Sequence, residues 1–211
     1  NAEREDSLAV LMASLDVRPK PHQATVLDAL QAERDHGHRS NLVVAATGTG
    51  KTWVSAFDYK RLRAEGTVNT LLFVAHRREI LVQSRDVFRL VLKDPGFGEL
   101  WVDGQVPTRG GRHVFASVQS LREAVVQAFD PEAMDMLVID EFHHAAAPSY
   151  RALLTHLQPT IRLGLTATPE RMDGQSVLGW FDGRVASDIR LWDALDAGLL
   201  CPFHYYGVVQ D

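Results

Sequence analysis

A glycine-rich loop placed directly behind an apolar run limits this chain to few folds. Residues 43–53 read VVAATGTGKTW, so a strand-forming segment ends in flexible backbone that carries a lysine and three threonines. Consecutive backbone N–H groups in a tight loop leading into a helix N-terminus point at one spot and attract anions. The stretch therefore predicts a strand, a loop and a helix that together bind a polyphosphate.

The loop matches the P-loop pattern, with Ala45 in place of the usual first glycine. Gly48 and Gly50 let the backbone close around the β- and γ-phosphates, and Lys51 reaches those oxygens. Thr52 offers a hydroxyl ligand for Mg²⁺. The alternative is a chance glycine-rich turn, and the strand before it and the helix after it argue against that. The predicted cofactor-binding residues of the loop are Thr47, Gly48, Thr49, Gly50, Lys51 and Thr52.

Apolar, β-branched runs of strand length recur along the chain, at 41–46, 70–75, 113–118, 136–141 and 161–166. They lack clean alternation, which favours strands buried on both faces of a parallel sheet. Helix-length segments separate them, so we expect an α/β fold with a doubly wound, mostly parallel sheet flanked by helices. In such a sheet, ligands bind at the carboxyl ends of the strands.

Composition narrows the range of partners. The 211 residues are 45% hydrophobic, enough for one well-packed core, and the net charge of −5 confines any nucleic-acid binding to a local basic patch. The single cysteine, Cys201, can form neither an internal disulfide nor a multi-thiolate zinc site. With no apolar run near 18 residues, we expect no membrane contact and a cytoplasmic location.

A pair of adjacent carboxylates ends the apolar strand in MLVIDEFHHA, residues 136–145. Successive residues of a strand point to opposite sides, so Asp140 and Glu141 should not share a task. One can hold Mg²⁺ through water and the other can orient or activate the attacking water. We predict Asp140 as the metal ligand and Glu141 as the base, and His143 and His144 lack the further ligands of a metal site.

Another strand ends in small hydroxyl residues in LGLTATPER, residues 163–171. The hydroxyls of Thr166 and Thr168 can bridge to the neighbouring carboxylates and report whether the γ-phosphate is present. Alone, this stretch would be an ordinary exit from a strand into a turn. Its meaning depends on the motifs around it.

Taken in order, ATGTGKT, VAHRREIL, FASVQSL, VIDEFHHA and LTATPER resemble the first RecA-like domain of a superfamily 2 helicase or translocase. The sequence is similar to DEAD/DEAH-type proteins with a DExH box, close to the type III restriction and excision-repair translocases, over about residues 18–211. The resemblance implies ATP and Mg²⁺ as cofactors. It also implies nucleic acid as partner, DNA rather than RNA, and a second RecA-like domain in the full-length protein.

The resemblance implies further roles for individual residues. In RPKPHQ, Gln23 would hydrogen-bond the adenine edge, and in the DExH box His143 would couple ATP hydrolysis to closure against the second domain, together with Thr166 and Thr168. The implied nucleic-acid contacts are Arg77 or Arg78, Ser117, Gln119 and Ser120. Each has a structural alternative: a surface helix residue for Gln23, solvated helix charges for the arginines, and a helix cap for the serines.

The resemblance also divides the chain. Residues 1–17 would be a helical extension or linker, 18–185 the ATP-binding RecA-like domain, and 186–211 a segment toward a second domain that supplies arginines to the γ-phosphate. Without those arginines the chain should bind ATP but hydrolyse it poorly. A GTP switch would need a guanine-reading motif that we do not find, and a kinase would leave LTATPER and SVQSL unexplained. An ATP-dependent conformational switch in a repair or defence assembly, without unwinding, is the second interpretation.

Overall fold

The computed structural model describes residues 15–108, 110–142, 148–168, 177–181 and 183–189. Within them one sheet contains seven strands, in the order β3-β4-β2-β5-β6-β1-β7. The strands are β1 (Ser40–Ala45), β2 (Leu71–Ala75), β3 (Glu99–Trp101), β4 (His113–Ser117), β5 (Met136–Asp140), β6 (Ile161–Thr166) and β7 (Ser187–Ile189). Every neighbouring pair is parallel. The predicted α/β fold is confirmed.

Helices cover both faces of the sheet. They are α1 (Pro21–Asp35), α2 (Lys51–Ala64), α3 (Arg78–Leu92), α4 (Glu123–Gln127) and α5 (Pro148–His156), followed by a 3₁₀ helix (Val177–Phe181). Apolar residues of α1, α2 and α3 pack in one buried cluster, and those of α4, α5 and the 3₁₀ helix in the other. The sheet therefore lies between two layers of helices, as in other doubly wound α/β domains.

Strand β2 shows why the apolar runs are continuous. Leu71 and Phe73 belong to the cluster beneath α1–α3, whereas Leu72 and Val74 belong to the cluster beneath α4 and α5. All five residues of this strand are buried. A strand covered on both faces needs apolar side chains at every position, because successive residues point to opposite faces.

The strand register brings the predicted motifs to one edge of the sheet. Strand β6 lies between β1 and β5, with Thr166 opposite Val44 and Leu165 opposite Asp140. On the other side of β5, strands β2 and β4 end level, with Ala75 opposite Ser117. Because all these strands are parallel, the loops that follow them meet at the carboxyl edge of the sheet.

The last described strand extends the sheet beyond the P-loop strand. Residues 187–189 pair with β1 and belong to the segment 186–211 that was predicted from the sequence to lead toward a second domain. Just before them, Arg184 donates from Nε and Nη2 to the carboxylate of Glu33 in α1, at 3.0 and 2.8 Å. The beginning of that segment is therefore anchored to the sheet, and the chain two residues before it is anchored to α1.

No helix within the described ranges is both long enough and apolar enough to cross a membrane.

Candidate nucleotide site and nucleic-acid groove

Backbone conformation explains the glycines of the P-loop. Gly48 and Gly50 both have φ of 89°, a left-handed conformation that other residues adopt only with strain. A Cβ on Gly50 would also lie 2.5 Å from Nε2 of Gln23. Between the two glycines, Thr49 closes the turn by donating from its hydroxyl to the Ala46 carbonyl at 2.7 Å. The loop is thus a tight turn that leads directly into α2.

Lys51 lies inside this loop rather than on the surface. It is 8% exposed, and its Nζ donates to the carbonyl oxygen of Ala45 at 2.9 Å. A buried ammonium group requires an oxygen partner, and here the loop itself supplies one. Thr52, the next residue of α2, is half-buried. The lysine is therefore placed among backbone N–H groups at the N-terminus of a helix, as a phosphate-binding lysine must be.

Gln23 is packed against the P-loop. It is 5% exposed, and its Oε1 accepts a hydrogen bond from the backbone N–H of Lys20 at 2.9 Å. The preceding residue, His22, joins its Nε2 to the carbonyl oxygen of Thr49 at 2.9 Å. The alternative of a surface helix position for Gln23 is therefore wrong, because the first turn of α1 is built onto the P-loop.

A cavity of about 390 Å³, which we call the nucleotide cavity, lies between the P-loop and the start of α1. It is lined by Asp16, Val17, Arg18, Lys20, Gln23, Gly48, Thr49, Gly50 and Trp53. Trp53 and Arg18 were not among the predicted site residues. Both could have been predicted from their closeness to the motifs in sequence, since Trp53 directly follows the P-loop and Arg18 begins the RPKPHQ motif.

The acidic pair lies close to the lysine of the P-loop. Asp140 is 6% exposed, and burial, reinforced by the charge of Glu141, raises the pKa of Asp140 from 3.8 to about 6, while Lys51 lowers it. Glu141 has φ of 54°, and its backbone N–H donates to Oδ1 of Asp140 at 3.1 Å. The chain therefore turns sharply at the end of β5, and the separate roles of the two carboxylates stay predictions.

The hydroxyl residues of β6 lie between the P-loop and the acidic pair, because β6 pairs with both β1 and β5. Thr166 is fully buried. Its hydroxyl donates to the carbonyl of Thr168 at 2.8 Å and lies 3.2 Å from the Thr168 backbone nitrogen. In this structure the hydroxyl thus stabilises the exit of the strand. Its coupling role, and that of Thr168, stay predictions, and His143 lies outside the described residues.

A second cavity, of about 550 Å³, opens at the ends of β2 and β4, and we call it the strand-end groove. Its lining residues are His76, Arg78, Trp101, Val102, Asp103, Gly104, Ser117, Gln119, Ser120, Arg122 and Val125. Four of the predicted nucleic-acid contacts are thus brought together: Arg78, Ser117, Gln119 and Ser120. Arg77, the fifth, is exposed at the N-cap of α3 and does not line the groove.

Hydrogen bonds order the polar side chains of the strand-end groove. Ser117 is buried, and its hydroxyl lies 2.8 Å from that of Ser120 and 3.2 Å from the Ser120 backbone nitrogen, so it shapes the turn. The helix that follows has its N-cap at Arg122, so the alternative that the serines cap it is wrong. Gln119 is exposed and bonds from Nε2 to Nδ1 of His76 at 3.0 Å. The groove thus presents Gln119 and Ser120 on a turn whose geometry Ser117 maintains.

Arginines and one acid set the charge of this groove. Nη1 of Arg78 lies 3.1 Å from Oδ2 of Asp103, and the two side chains are 45% and 64% exposed. Arg122, also exposed, lines the same groove. Neither Asp103 nor Arg122 was predicted. Arg122 could have been predicted, since it directly follows the SVQSL motif. Asp103 lies in a distant loop that contains no recognisable motif.

A parallel sheet with a P-loop after one strand and an acidic pair two strands away defines a RecA-like nucleoside-triphosphatase domain. The family model for the type III restriction enzyme, res subunit, matches residues 16–171. The chain belongs to this family. It is the first RecA-like domain of superfamily 2 helicases and translocases, the ATP-binding motor domain of that class.

Individual relatives agree with this membership. The Schizosaccharomyces pombe protein irc3, named as a mitochondrial ATP-dependent helicase, is 30% identical over 167 residues, covering 75% of this chain and 27% of irc3. A nuclease-deletion mutant of the Type ISP restriction-modification enzyme LlaGI, solved with a DNA substrate mimic, matches with a TM-score of 0.67 at 17% identity, covering 87% of this chain and 21% of that chain. The Hef helicase domain of Pyrococcus furiosus matches with a TM-score of 0.66 at 18% identity, covering 84% and 39%. At these identities the two solved structures support the fold alone.

Proposed function

We propose that this chain is the ATP-binding half of a DNA-dependent motor that hydrolyses ATP to ADP and phosphate when a second RecA-like domain completes the site. The observation that carries the proposal is that a phosphate-binding loop, a hydroxyl residue and a carboxylate lie at the ends of three adjacent strands. The P-loop follows β1, Thr166 ends β6 and Asp140 ends β5. In a parallel sheet this edge is where a ligand can touch all three.

Within this proposal the backbone of the P-loop and Lys51 bind the phosphates, and Gln23 recognises the base. Thr52 and Asp140 are the protein ligands of Mg²⁺. An oxygen set of one hydroxyl and one carboxylate suits this ion, which binds proteins through one or two carboxylates and keeps waters and substrate phosphates as its other ligands. Glu141 acts as the general base for the attacking water.

DNA is the proposed track, and the strand-end groove is its proposed binding face. Arginine and small polar side chains can grip the phosphates that every nucleotide offers, without reading bases. Arg78, Gln119, Ser120 and Arg122 present such groups in the groove. Two structural neighbours, LlaGI and a Sulfolobus solfataricus SWI2/SNF2 ATPase core, were both solved with DNA, and this favours DNA over RNA.

The second RecA-like domain is proposed from the size of the relatives and from the chemistry. This chain spans 27% of the length of irc3. An arginine brought across an interface accelerates phosphoryl transfer by about 10³- to 10⁵-fold. We therefore expect this chain alone to bind ATP while turning it over slowly. Its cytoplasmic location stays a prediction from the sequence.

Nucleotide binding is tested by calorimetry with Mg²⁺-ATP on the wild-type protein and on Lys51→Ala. The substitution removes the one side-chain cation of the P-loop, so binding should be lost. Lys60→Ala, at an exposed position of the same helix, is the matched control and should bind like wild type. Equal binding by Lys51→Ala would contradict the proposal.

The role of Glu141 is tested in the full-length protein. Glu141→Gln should retain ATP but stop its hydrolysis, and turnover at the wild-type rate would remove Glu141 from the mechanism.

The DNA track is tested by titrating two unrelated oligonucleotides at several salt concentrations. Arg78→Ala should weaken both equally and lower the salt slope by about one, as expected for one lost phosphate contact. Arg77→Ala should weaken binding less, because Arg77 does not line the groove. Arg112→Ala is the control, since this exposed arginine precedes β4 at the opposite edge of the sheet. A loss confined to one oligonucleotide, or as large for Arg112→Ala, would place the track elsewhere.

A further inference from the structure

A buried tyrosine lies behind the acidic pair and has no part in the function proposed above. Tyr150, in the first turns of α5, is 1% exposed and packs in the same apolar cluster as Ile139 and Phe142, which flank the pair in sequence. Its hydroxyl is buried and has no hydrogen-bond partner among the described residues. The polar end of this side chain is thus enclosed beside the end of β5.

An unpaired buried hydroxyl is costly, because the group gives up its hydrogen bonds to water and gains none. Native structures contain few such groups, and each one calls for a reason. Phenylalanine would fill nearly the same volume without this cost. The hydroxyl is therefore explained best by a partner that it gains in another state of the protein.

The charged groups that act on this hydroxyl are the two carboxylates of the acidic pair. Burial, and then the charges of Asp140 and Glu141, raise the pKa of the Tyr150 hydroxyl, so it keeps its proton and can act only as a donor to them. Glu141 is half-buried and lies on the left-handed turn with φ of 54°. A carboxylate on a strained turn is the group most able to change its orientation when nucleotide binds.

We propose that Tyr150 is a positioning residue for the acidic pair, whose hydroxyl donates a hydrogen bond to the Asp140–Glu141 carboxylates in the nucleotide-bound state and holds the base toward the attacking water. The proposal rests on the proposed ATPase function. It goes beyond the family motifs, because Tyr150 lies nine residues after Glu141 and reaches the pair only through the packing of α5. Tyr150 itself touches neither nucleotide nor metal in this role.

The test is Tyr150→Phe in the full-length protein, with DNA-stimulated turnover, ATP affinity and thermal unfolding measured together. We expect kcat to fall about tenfold or more, the typical effect of losing a hydrogen bond to a charged group. ATP affinity should stay unchanged, and Tm should stay the same or rise, since the substitution removes an unpaired polar group.

Tyr59→Phe is the matched control on the opposite face of the sheet. Tyr59 is also fully buried, but its hydroxyl donates to the Asn69 carbonyl at 3.4 Å. Its loss should lower Tm and leave kcat unchanged, the reverse of the result expected for Tyr150→Phe. Unchanged kcat in Tyr150→Phe, or a fall in kcat accompanied by a lower Tm or weaker ATP binding, would overturn the positioning role. Absence of DNA-stimulated turnover in the wild-type protein would instead refute the proposed function.

Discussion

Replacing Asp140 with asparagine should stabilise the protein when neither nucleotide nor Mg²⁺ is bound. Asp140 is 6% exposed, and its carboxylate has lost most of its hydration on folding. Asparagine has nearly the same shape and keeps an oxygen for the Glu141 N–H that Asp140 accepts at 3.1 Å. The substitution therefore removes the buried charge without opening a cavity.

The size of the effect follows from the pKa. Burial, then the charge of Glu141, raises the pKa of Asp140 from 3.8 to about 6 in the folded state, with Lys51 opposing. A pKa difference of about 2 corresponds to about 3 kcal/mol, at about 1.4 kcal/mol for each pKa unit. Because the buried amide needs hydrogen bonds of its own, we expect Asp140→Asn to raise the free energy of unfolding by about 1–3 kcal/mol at pH 7.5.

The same difference between the folded-state and unfolded-state pKa of Asp140 determines how the stability of the protein depends on pH. Between pH 3.8 and about 6 the folded state binds the Asp140 proton more tightly than the unfolded state does. The contribution of Asp140 to stability is therefore fully present below pH 3.8 and is lost as the pH rises through about 6. The advantage of Asp140→Asn over wild type should grow across this window and be constant above about pH 7.

The assay is urea unfolding of both proteins from pH 4 to pH 8, in EDTA and without nucleotide. Asp28→Asn, at an exposed position of α1 where the carboxylate stays hydrated, is the control and should show no comparable gain. A stability difference between Asp140→Asn and wild type that does not change with pH, or a less stable Asp140→Asn at pH 7.5, would refute the reasoning.

Two further predictions concern the groove and the core. Asp103→Asn should strengthen DNA binding by up to about fivefold at low salt. The exposed ion pair between Asp103 and Arg78 is worth at most about 1 kcal/mol, and its loss frees the guanidinium for phosphate. Unchanged affinity in the oligonucleotide titrations described above would contradict this prediction. Gly164→Ala should lower the free energy of unfolding by about 1–3 kcal/mol through overpacking, since its Cβ would lie 2.6 Å from Cζ of Phe181. Gly179→Ala, which meets nothing within 4 Å, is the control for chemical denaturation, and equal losses in the two variants would exclude overpacking as the cause.

Local sequence was enough to predict the fold class and the central strands. The five predicted runs correspond to β1, β2, β4, β5 and β6, with ends that differ by one residue at most. Most of their side chains are buried on both faces of the sheet, so the runs are largely apolar without alternation. The edge strands β3 and β7 have three residues each, and such short elements carry too few side chains for a pattern.

The P-loop could also be predicted from local sequence, because its phosphate-binding groups are consecutive residues of the chain. Gly48 and Gly50 must adopt φ of 89°, which glycine alone does without strain. Lys51 follows immediately at the N-terminus of α2. Backbone conformation and helix start are local properties, so a short stretch of sequence determines them.

Strand order decided the rest of the site, and no local pattern encodes it. Hydrogen bonds between parallel strands join residues far apart in sequence and use backbone groups that every residue has. Only the placement of β6 between β1 and β5 brings the charge of Lys51 within range of Asp140, whose pKa it lowers. The pairing of Arg78 with Asp103 and the burial of Tyr150 beside the acidic pair likewise arise from packing between distant segments. The chain sequence thus specified which chemical groups are present, and tertiary packing decided which of them act on one another.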